Sequence, residues 1–492
     1  MTTTTIAKTS LGELRGTTEN NVAIFRGVPY AAPPIAERRF GLPEKPEPWT
    51  GQRDATANAP IPPQARSRLA AAMGDFEAVQ DEDCLTLTIT TPAVDKRKRP
   101  VLVWLHGGAF WTGAGSLDWY SGVPLSAHGD VVVVGVNHRL GALGFMALAG
   151  ISPPNLGIHD QIAALEWVKK EIEAFGGDPD NITVMGQSAG GFSILAMLSD
   201  PSVRKLFRRV IIQSAPFGRD IRSLAMAQSI GEAIQAELGI ATVDDWRAAN
   251  VSDIVQAQLA VAKTLAGFCQ TTPPFMPVAD HTLIGDNLVG TAAVGALDCD
   301  VMVGYTNDEM GAFFAQDTSI INASDEQVLS VFARFFGASA KQALDEYRQR
   351  VGGDAPRQVL GRLMSDASFA MGAQKFAQQL NELGRPAWTY RFDWQAPGNQ
   401  FGACHCLELP FMFDTIDTWA SPMTEGGDPA EMATLAAQMR DAWISFARHG
   451  DPNHSELPTW SRYENSRQTM LFDRHCRLAN DPEGFKRWRF WP

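Results

Sequence analysis

The feature that most restricts what this chain can fold into is a serine caught between a strand and a helix. Ile182-Thr183-Val184-Met185 is a short apolar, β-rich run, Phe192 to Leu198 carries an apolar helical pattern, and Gly186-Gln187-Ser188-Ala189-Gly190-Gly191 joins the two. A strand turning this sharply into a helix forces the middle residue into a strained backbone conformation, and small residues two before and two after it make room. The hydroxyl of Ser188 then stands clear at the carboxyl edge of a sheet. The reading is a nucleophile on an α/β scaffold.

Other runs fit that scaffold. Leu85-Thr86-Leu87-Thr88-Ile89 alternates like a strand, while Val101 to Leu105, Val131 to Val136, Arg209 to Gln213, Val301 to Gly304 and Trp388 to Phe392 read as further strands, several of them buried on both faces. Helical patterns lie between them, over 161–172, about 223–265, about 325–383 and 429–449, the last with Ala442, Ser445, Phe446 and His449 on one face. Strand, helix, strand predicts a large, mostly parallel sheet flanked by helices, with helical insertions. No repeat or linker divides the 492 residues, so 1–492 reads as one domain.

Charge excludes some functions. With 42 Lys and Arg against 55 Asp and Glu, the formal charge is −13, and the one basic cluster, Lys96-Arg97-Lys98-Arg99, reads as a solvated loop. A nucleic-acid partner is not expected. The most apolar runs are far shorter than the roughly 20 residues a membrane helix needs, and the start lacks the charged-then-apolar pattern of a secretory signal, so the expectation is a cytoplasmic protein without a membrane partner. Six cysteines without CxxC spacing suit free thiols. Cys404-His405-Cys406, read as extended, would split its side chains between two faces, so neither a metal nor another cofactor is expected.

A serine nucleophile needs a base, and the base a group that fixes its tautomer. Of nine histidines, His405 is the best placed: it follows the serine in chain order and lies shortly after the strand-like Trp388 to Phe392. The acid should lie between them at a strand end, and Val301-Met302-Val303-Gly304-Tyr305-Thr306-Asn307-Asp308-Glu309 offers two carboxylates, Asp308 and Glu309, that spacing does not separate. His106-Gly107-Gly108-Ala109-Phe110, after a buried strand, can bring backbone N–H groups to an oxyanion alongside that of Ala189. No P-loop lysine or GxGxxG accompanies these glycines, which argues against a nucleotide site.

Taken together, these segments resemble the type B carboxylesterases of the α/β-hydrolase superfamily, with bacterial para-nitrobenzyl esterases and phenylcarbamate hydrolases as the nearest likeness. The resemblance spans nearly the whole chain: Phe25-Arg26-Gly27-Val28-Pro29-Tyr30, Glu82-Asp83-Cys84-Leu85, the His106 turn, Val136 to Phe145, Phe175 to Thr183, the serine elbow, Gln213-Ser214, Asn307-Asp308-Glu309 and Gly450-Asp451-Pro452-Asn453. It implies a triad of Ser188, Glu309 and His405, oxyanion donors at Gly108, Ala109 and Ala189, and an auxiliary Ser214. The acid it implies is therefore Glu309 rather than Asp308.

Departures from the family pattern narrow the expected substrate. Gln187 stands where relatives keep a glutamate, Met310 stands where a glycine commonly follows the acid, and no tryptophan lies between Pro60 and Glu82 where choline esterases hold their cation. The cysteine that usually pairs with the Cys84 position is missing. Phe110, Trp111, Gln187, Phe192, Phe313 and Phe314 are candidate pocket residues. The expected partner is a small, neutral aryl or medium-sized apolar ester, or alternatively an aryl carbamate or amide, with a non-catalytic binding homologue as the remote alternative.

Overall fold

The computed structural model describes residues 3–482, 484 and 490–491. In chain order its strands are β1 (Thr3–Thr9), β2 (Gly12–Glu19), β3 (Val22–Pro29), β4 (Gln52–Asp54), β5 (Thr86–Thr91), β6 (Arg99–Leu105), β7 (Val132–Val136), β8 (Gly177–Gln187), β9 (Arg209–Gln213), β10 (Arg222–Ser223), β11 (Val278–Ala279), β12 (Asp300–Thr306), β13 (Trp388–Phe392), β14 (Gln468–Phe472) and β15 (Arg477–Asn480). Thirteen of them form one sheet in the order β1-β2-β3-β5-β7-β6-β8-β9-β12-β13-β14-β15, with β4 beside β2. From β7 to β14 every pairing is parallel. The N-terminal strands and β15 add antiparallel edges.

The central strands are apolar on both faces because both faces are covered. Along β6, Val101, Val103 and Leu105 enter one apolar cluster and Leu102 and Trp104 the other, as the two-residue period of a strand requires. The first cluster takes the helices Leu156–Glu171 and Ala189–Ser199. The second takes Pro429–His449 through Met439, Ala442, Trp443 and Phe446. The expected face of this last helix is half right: His449 is exposed, and Ser445 instead donates to the carbonyls of Asp451 and Asn453. Helices Asp325–Phe336, Ala340–Val351 and Pro356–Ser365 enclose a third, separate apolar cluster.

One basic residue departs from its expected place. Arg99 opens β6 with its side chain only 3% exposed, and its guanidinium donates to Asp95 at 2.6 and 2.9 Å and to Asp130 at 2.6 Å. Two carboxylates compensate the desolvation that made an exposed loop the simpler reading. No helix among the described residues is long and apolar enough to cross a membrane.

Parallel strands put all their carboxyl ends on one edge, and every segment singled out for chemistry sits there. His106 to Phe110 follow β6, Ser188 follows β8, Ser214 follows β9, Asn307 to Glu309 follow β12, and His405 lies in the long connection after β13.

Candidate active site

Ser188 is held at φ 55° and ψ −116°, a sparsely populated conformation for a residue with a Cβ. Its N–H donates to the Gln213 carbonyl at 2.8 Å, and its own carbonyl accepts from Phe192 N at 2.9 Å, which fixes the turn at both ends. The glycine two residues on is required by close approach: a Cβ on Gly190 would lie 2.0 Å from the Leu105 carbonyl oxygen. A strained residue clamped on both sides keeps its side chain pointing off the edge of the sheet.

The partner of His405 is Glu309. Both are buried, at 1% and 0% exposure, and His405 Nδ1–H donates to Glu309 Oε2 in a close charge-assisted contact. Glu309 Oε1 accepts from the Thr306 backbone N–H at 2.9 Å, so the carboxylate is held from both sides. Asp308, the other carboxylate that spacing left open, points elsewhere. Its Oδ2 accepts from Ala403 N at 3.3 Å and its Oδ1 lies 3.8 Å from Arg362 Nη1. Together with Asp308 N donating to the Ala403 carbonyl at 2.9 Å and His405 N to the Glu309 carbonyl at 3.4 Å, it laces the histidine loop to the end of β12. Met310 leaves this arrangement intact: its side chain is buried and its N–H donates to Ser365 Oγ at 3.0 Å.

The segment around the histidine is not extended, which corrects the expectation for Cys404-His405-Cys406. It is a turn with Cys406 at φ 73°, and all three side chains are buried, the two thiols with their pKa values pushed well up by that burial. The turn is what brings His405 over the end of β12. Among the other histidines, His106 and His138 stack face to face with ring centroids 4.7 Å apart. Burial, and for His106 also its neighbour, pulls them down to about 3 and about 4, so both stay neutral. They pack beneath the glycine turn.

That turn carries Gly108 at φ 115° and Ala109 at φ 56°. A Cβ on Gly108 would meet the Thr112 carbonyl oxygen at 1.9 Å, so only glycine fits. Among the described residues, the N–H groups of Gly108 and Ala109 make no backbone hydrogen bond, and Ala189 N–H is the free first donor of its helix. Gly108, Ala109 and Ser188 border one cleft, which makes this turn capable of binding an oxyanion.

Gln187 takes a position that the sequence did not show. Its side-chain amide Nε2 lies 3.0 Å from His405 Nε2, the nitrogen on the far side of the ring from Glu309. An amide can donate there only if that nitrogen carries a lone pair, so Gln187 and Glu309 select the same neutral tautomer from opposite ends of the ring. Among the described residues Ser188 Oγ makes no hydrogen bond, and it is Gln187 that holds the Nε2 side of the ring. Ser214 lies at φ 46° after β9, and its buried Oγ has no partner.

Two chambers meet at Ser188. One, about 60 Å³, is bordered by His405, Gln187, Trp111, Trp119, Phe313 and Arg68, with Phe76 and Tyr120 further out. The other, about 30 Å³, is bordered by Ala189, Phe110, Phe192, Met276, Phe313 and Arg219. Phe314 is not part of either. Next to Phe313 on a short helix it points about a quarter-turn away, into the third apolar cluster. Trp111, a pocket candidate from the sequence, is joined in the first chamber by Trp119, which stacks on Trp419 at 4.5 Å. The guanidiniums of Arg68 and Arg219 were missed, since nothing local in sequence links them to Ser188.

A carboxylesterase family model matches residues 3–491. The chain is 35% identical over 491 residues to the phenmedipham hydrolase of Pseudarthrobacter oxydans, covering 98% of each protein. It is 36% identical over 502 residues to the para-nitrobenzyl esterase of Bacillus subtilis, covering 99% of this chain and 98% of that one. Among solved structures, a PNB esterase superposes with a TM-score of 0.89 at 35% identity over the whole of both chains. A Geobacillus stearothermophilus carboxylesterase gives 0.88 at 34%, over 99% of this chain and 100% of that one. With the whole length matched and the serine elbow, the glycine turn and the Glu309–His405 pair at one sheet edge, the chain belongs to the carboxylesterase family and is a hydrolase of carboxylic esters.

Proposed function

We propose that Ser188, His405 and Glu309 form the catalytic triad of this esterase. In this reading His405 Nε2 takes the Ser188 proton as Oγ attacks the ester carbonyl, and the N–H groups of Gly108, Ala109 and Ala189 receive the oxyanion. His405 then gives the proton to the departing alcohol, and water releases the acid from Ser188 by the same steps. The observation that carries the reading is the Glu309 carboxylate fixed on Nδ1 of a buried His405 that borders the same cleft as Ser188. Ser214 is assigned a supporting place beside the turn, next to the Gln213 carbonyl that holds Ser188.

The chamber on the His405 side is walled by Trp111, Trp119 and Phe313, which suits a neutral aryl or medium-sized apolar alcohol. Aryl carbamates are the second reading, supported by the overall resemblance to phenylcarbamate hydrolases and by the 35% identity to the phenmedipham hydrolase. The reading extends to a single domain, since one sheet takes strands from Thr3 to Asn480, and to a cytoplasmic protein that binds neither nucleic acid nor membranes, supported by its acidic charge and free thiols. The test is turnover of nitrophenyl esters, carbamates and anilides by wild type and Ser188→Ala. The variant should lose several powers of ten in kcat with its fold unchanged. Retention of more than about one per cent of wild-type activity would remove Ser188 from the role.

A further inference from the structure

The two chambers at Ser188 hold different parts of an ester. The leaving alcohol receives its proton from His405, so it occupies the chamber that His405 borders. The acyl group, bound to Ser188 Oγ and pointing its oxygen at Gly108, Ala109 and Ala189, is left with the other chamber, which His405 does not reach. That second chamber shares the wall residues Arg219, Thr271, Pro273 and Met276 with a neighbouring cavity of about 650 Å³.

The charge in this passage runs against that of the chain. Among the described residues that border the two chambers, the fixed charges are Arg68 and Arg219, and there is no carboxylate. Among the described residues neither arginine has an ion pair. Arg68 is exposed at the entrance with its guanidinium 6.0 Å from the Trp111 ring centroid. Arg219 is partly buried. Its Nη1 and Nη2 donate to the Thr271 carbonyl and Oγ1 at 2.8 and 2.9 Å, and its Nε is buried with no partner. Two of its five donors are therefore used. The outer cavity adds Arg222, again with a buried, unpartnered Nε, and Arg334, against the single carboxylate of Asp220.

An uncompensated guanidinium beside phenylalanine and methionine is costly to keep. Burial and repulsion from Arg68 pull Arg219 down to about 10, which still leaves it charged at neutral pH. Hydrogen bonds to the carbonyl and hydroxyl of Thr271 do not themselves require a charge. What the arginine adds is positive charge on the acyl side of Ser188 and a free Nε–H to direct it.

We propose that this esterase accepts acyl groups that end in a carboxylate, with Arg219 as the specificity-determining residue and Arg68 reinforcing it at the entrance. The assignment rests on the triad reading above. The aromatic chamber beside His405 then takes the alcohol, and the chamber that Arg219 borders takes the free acid end of a dicarboxylic monoester, drawn in by a local field opposite in sign to the rest of the protein.

The test pairs 4-nitrophenyl monoesters of adipic, pimelic and suberic acids with esters in which an isopropyl group replaces the free carboxylate. The quantity read is the ratio of kcat/KM within each pair, at low and high salt. For wild type, at least one pair should favour the carboxylate by roughly tenfold or more, and the preference should shrink as salt screens it. Arg219→Gln, which removes the charge, should cut the ratio by roughly tenfold, and Arg68→Gln, at an exposed position, by a smaller factor. Arg219→Lys should restore part of it. A wild-type ratio at or below one for all three pairs, or a ratio unmoved by both glutamine variants, would overturn the proposal while leaving the esterase reading standing. Absence of Ser188-dependent turnover of both members of every pair would sink the triad reading, and the acyl assignment with it.

Discussion

Replacing Gln187 by glutamate tests the geometry around His405 directly. In the wild type the imidazole faces a donor on Nε2 and a carboxylate on Nδ1, an arrangement only one neutral tautomer satisfies. A glutamate at 187 would offer an acceptor at both ends. No neutral tautomer can donate twice, so the imidazolium becomes the favoured form. A carboxylate about 3 Å from Nε2 at an effective dielectric of about 20 contributes roughly 5 kcal/mol of attraction before the cost of desolvating it. Once that cost is subtracted, the acid limb of kcat/KM should move upward by about one to three pH units, since an opposite charge at this range shifts a titration by that much. The sign follows from the proposed mechanism, in which His405 must be neutral to act as base: stabilising its protonated form pushes activity to higher pH. The assay is a pH–rate profile for a neutral nitrophenyl ester with wild type, Gln187→Glu and Gln187→Ala. The alanine variant should show no upward displacement, because it adds no charge. A glutamate profile that overlays the wild type, or moves to lower pH, would refute the reasoning that residue 187 contacts an imidazole acting as base.

Glu309→Gln should lower kcat by about four powers of ten, because the amide cannot stabilise the imidazolium, whereas Asp308→Asn should cost less than about tenfold through a loosened histidine loop; the opposite ranking in steady-state assays would reverse the assignment. All six cysteines are free and five are buried, so denatured protein should titrate six thiols, and native protein should react only at the half-buried Cys476, slowly, because burial pushes its thiol to about 11. Glu408 is fully buried with one unpartnered oxygen, and burial together with the Glu309 charge raises it from 4.5 to about 8. A raised acid favours folding only while protonated, so stability is lost as pH climbs from about 4.5 to about 8. Glu408→Gln should remove that loss and gain up to about 5 kcal/mol on the wild type by pH 9, read as an unfolding midpoint several degrees higher there and nearly equal at pH 5.

What was legible in the sequence and what was not divides along one physical line. Strands buried on both faces must be nearly all apolar, so β6, β7, β9 and β13 could be read within two residues of their ends. The serine elbow and the glycine turn were legible for a related reason: close backbone approach excludes most residues, and the restriction is written in the letters themselves, as at Gly108 and Gly190. The choice between Asp308 and Glu309 is different in kind. Adjacent residues at a strand end point to opposite sides, and only the path of the 402–405 loop decides which side His405 occupies. Resemblance, not spacing, anticipated the residue that meets it.

The charge of the cleft was the least legible of all, and for a general reason. Arg68, Arg219, Thr271 and Ser188 come from four separate stretches of chain, so their meeting is a property of the connections between strands rather than of any local pattern. Loops of this kind carry no periodicity, and a net charge of −13 describes the whole surface, not one passage through it. Neutral substrates were expected because no cation or anion partner was visible near the serine in sequence. The fold walls the His405-side chamber mainly with aromatic rings, sets Arg68 on the border of both chambers and places Arg219 on the border of the second. A scaffold fixed by backbone packing thus leaves the polarity of its two chambers to be set independently, one loop at a time, which is how one sheet edge can keep the same triad while the acid it releases changes.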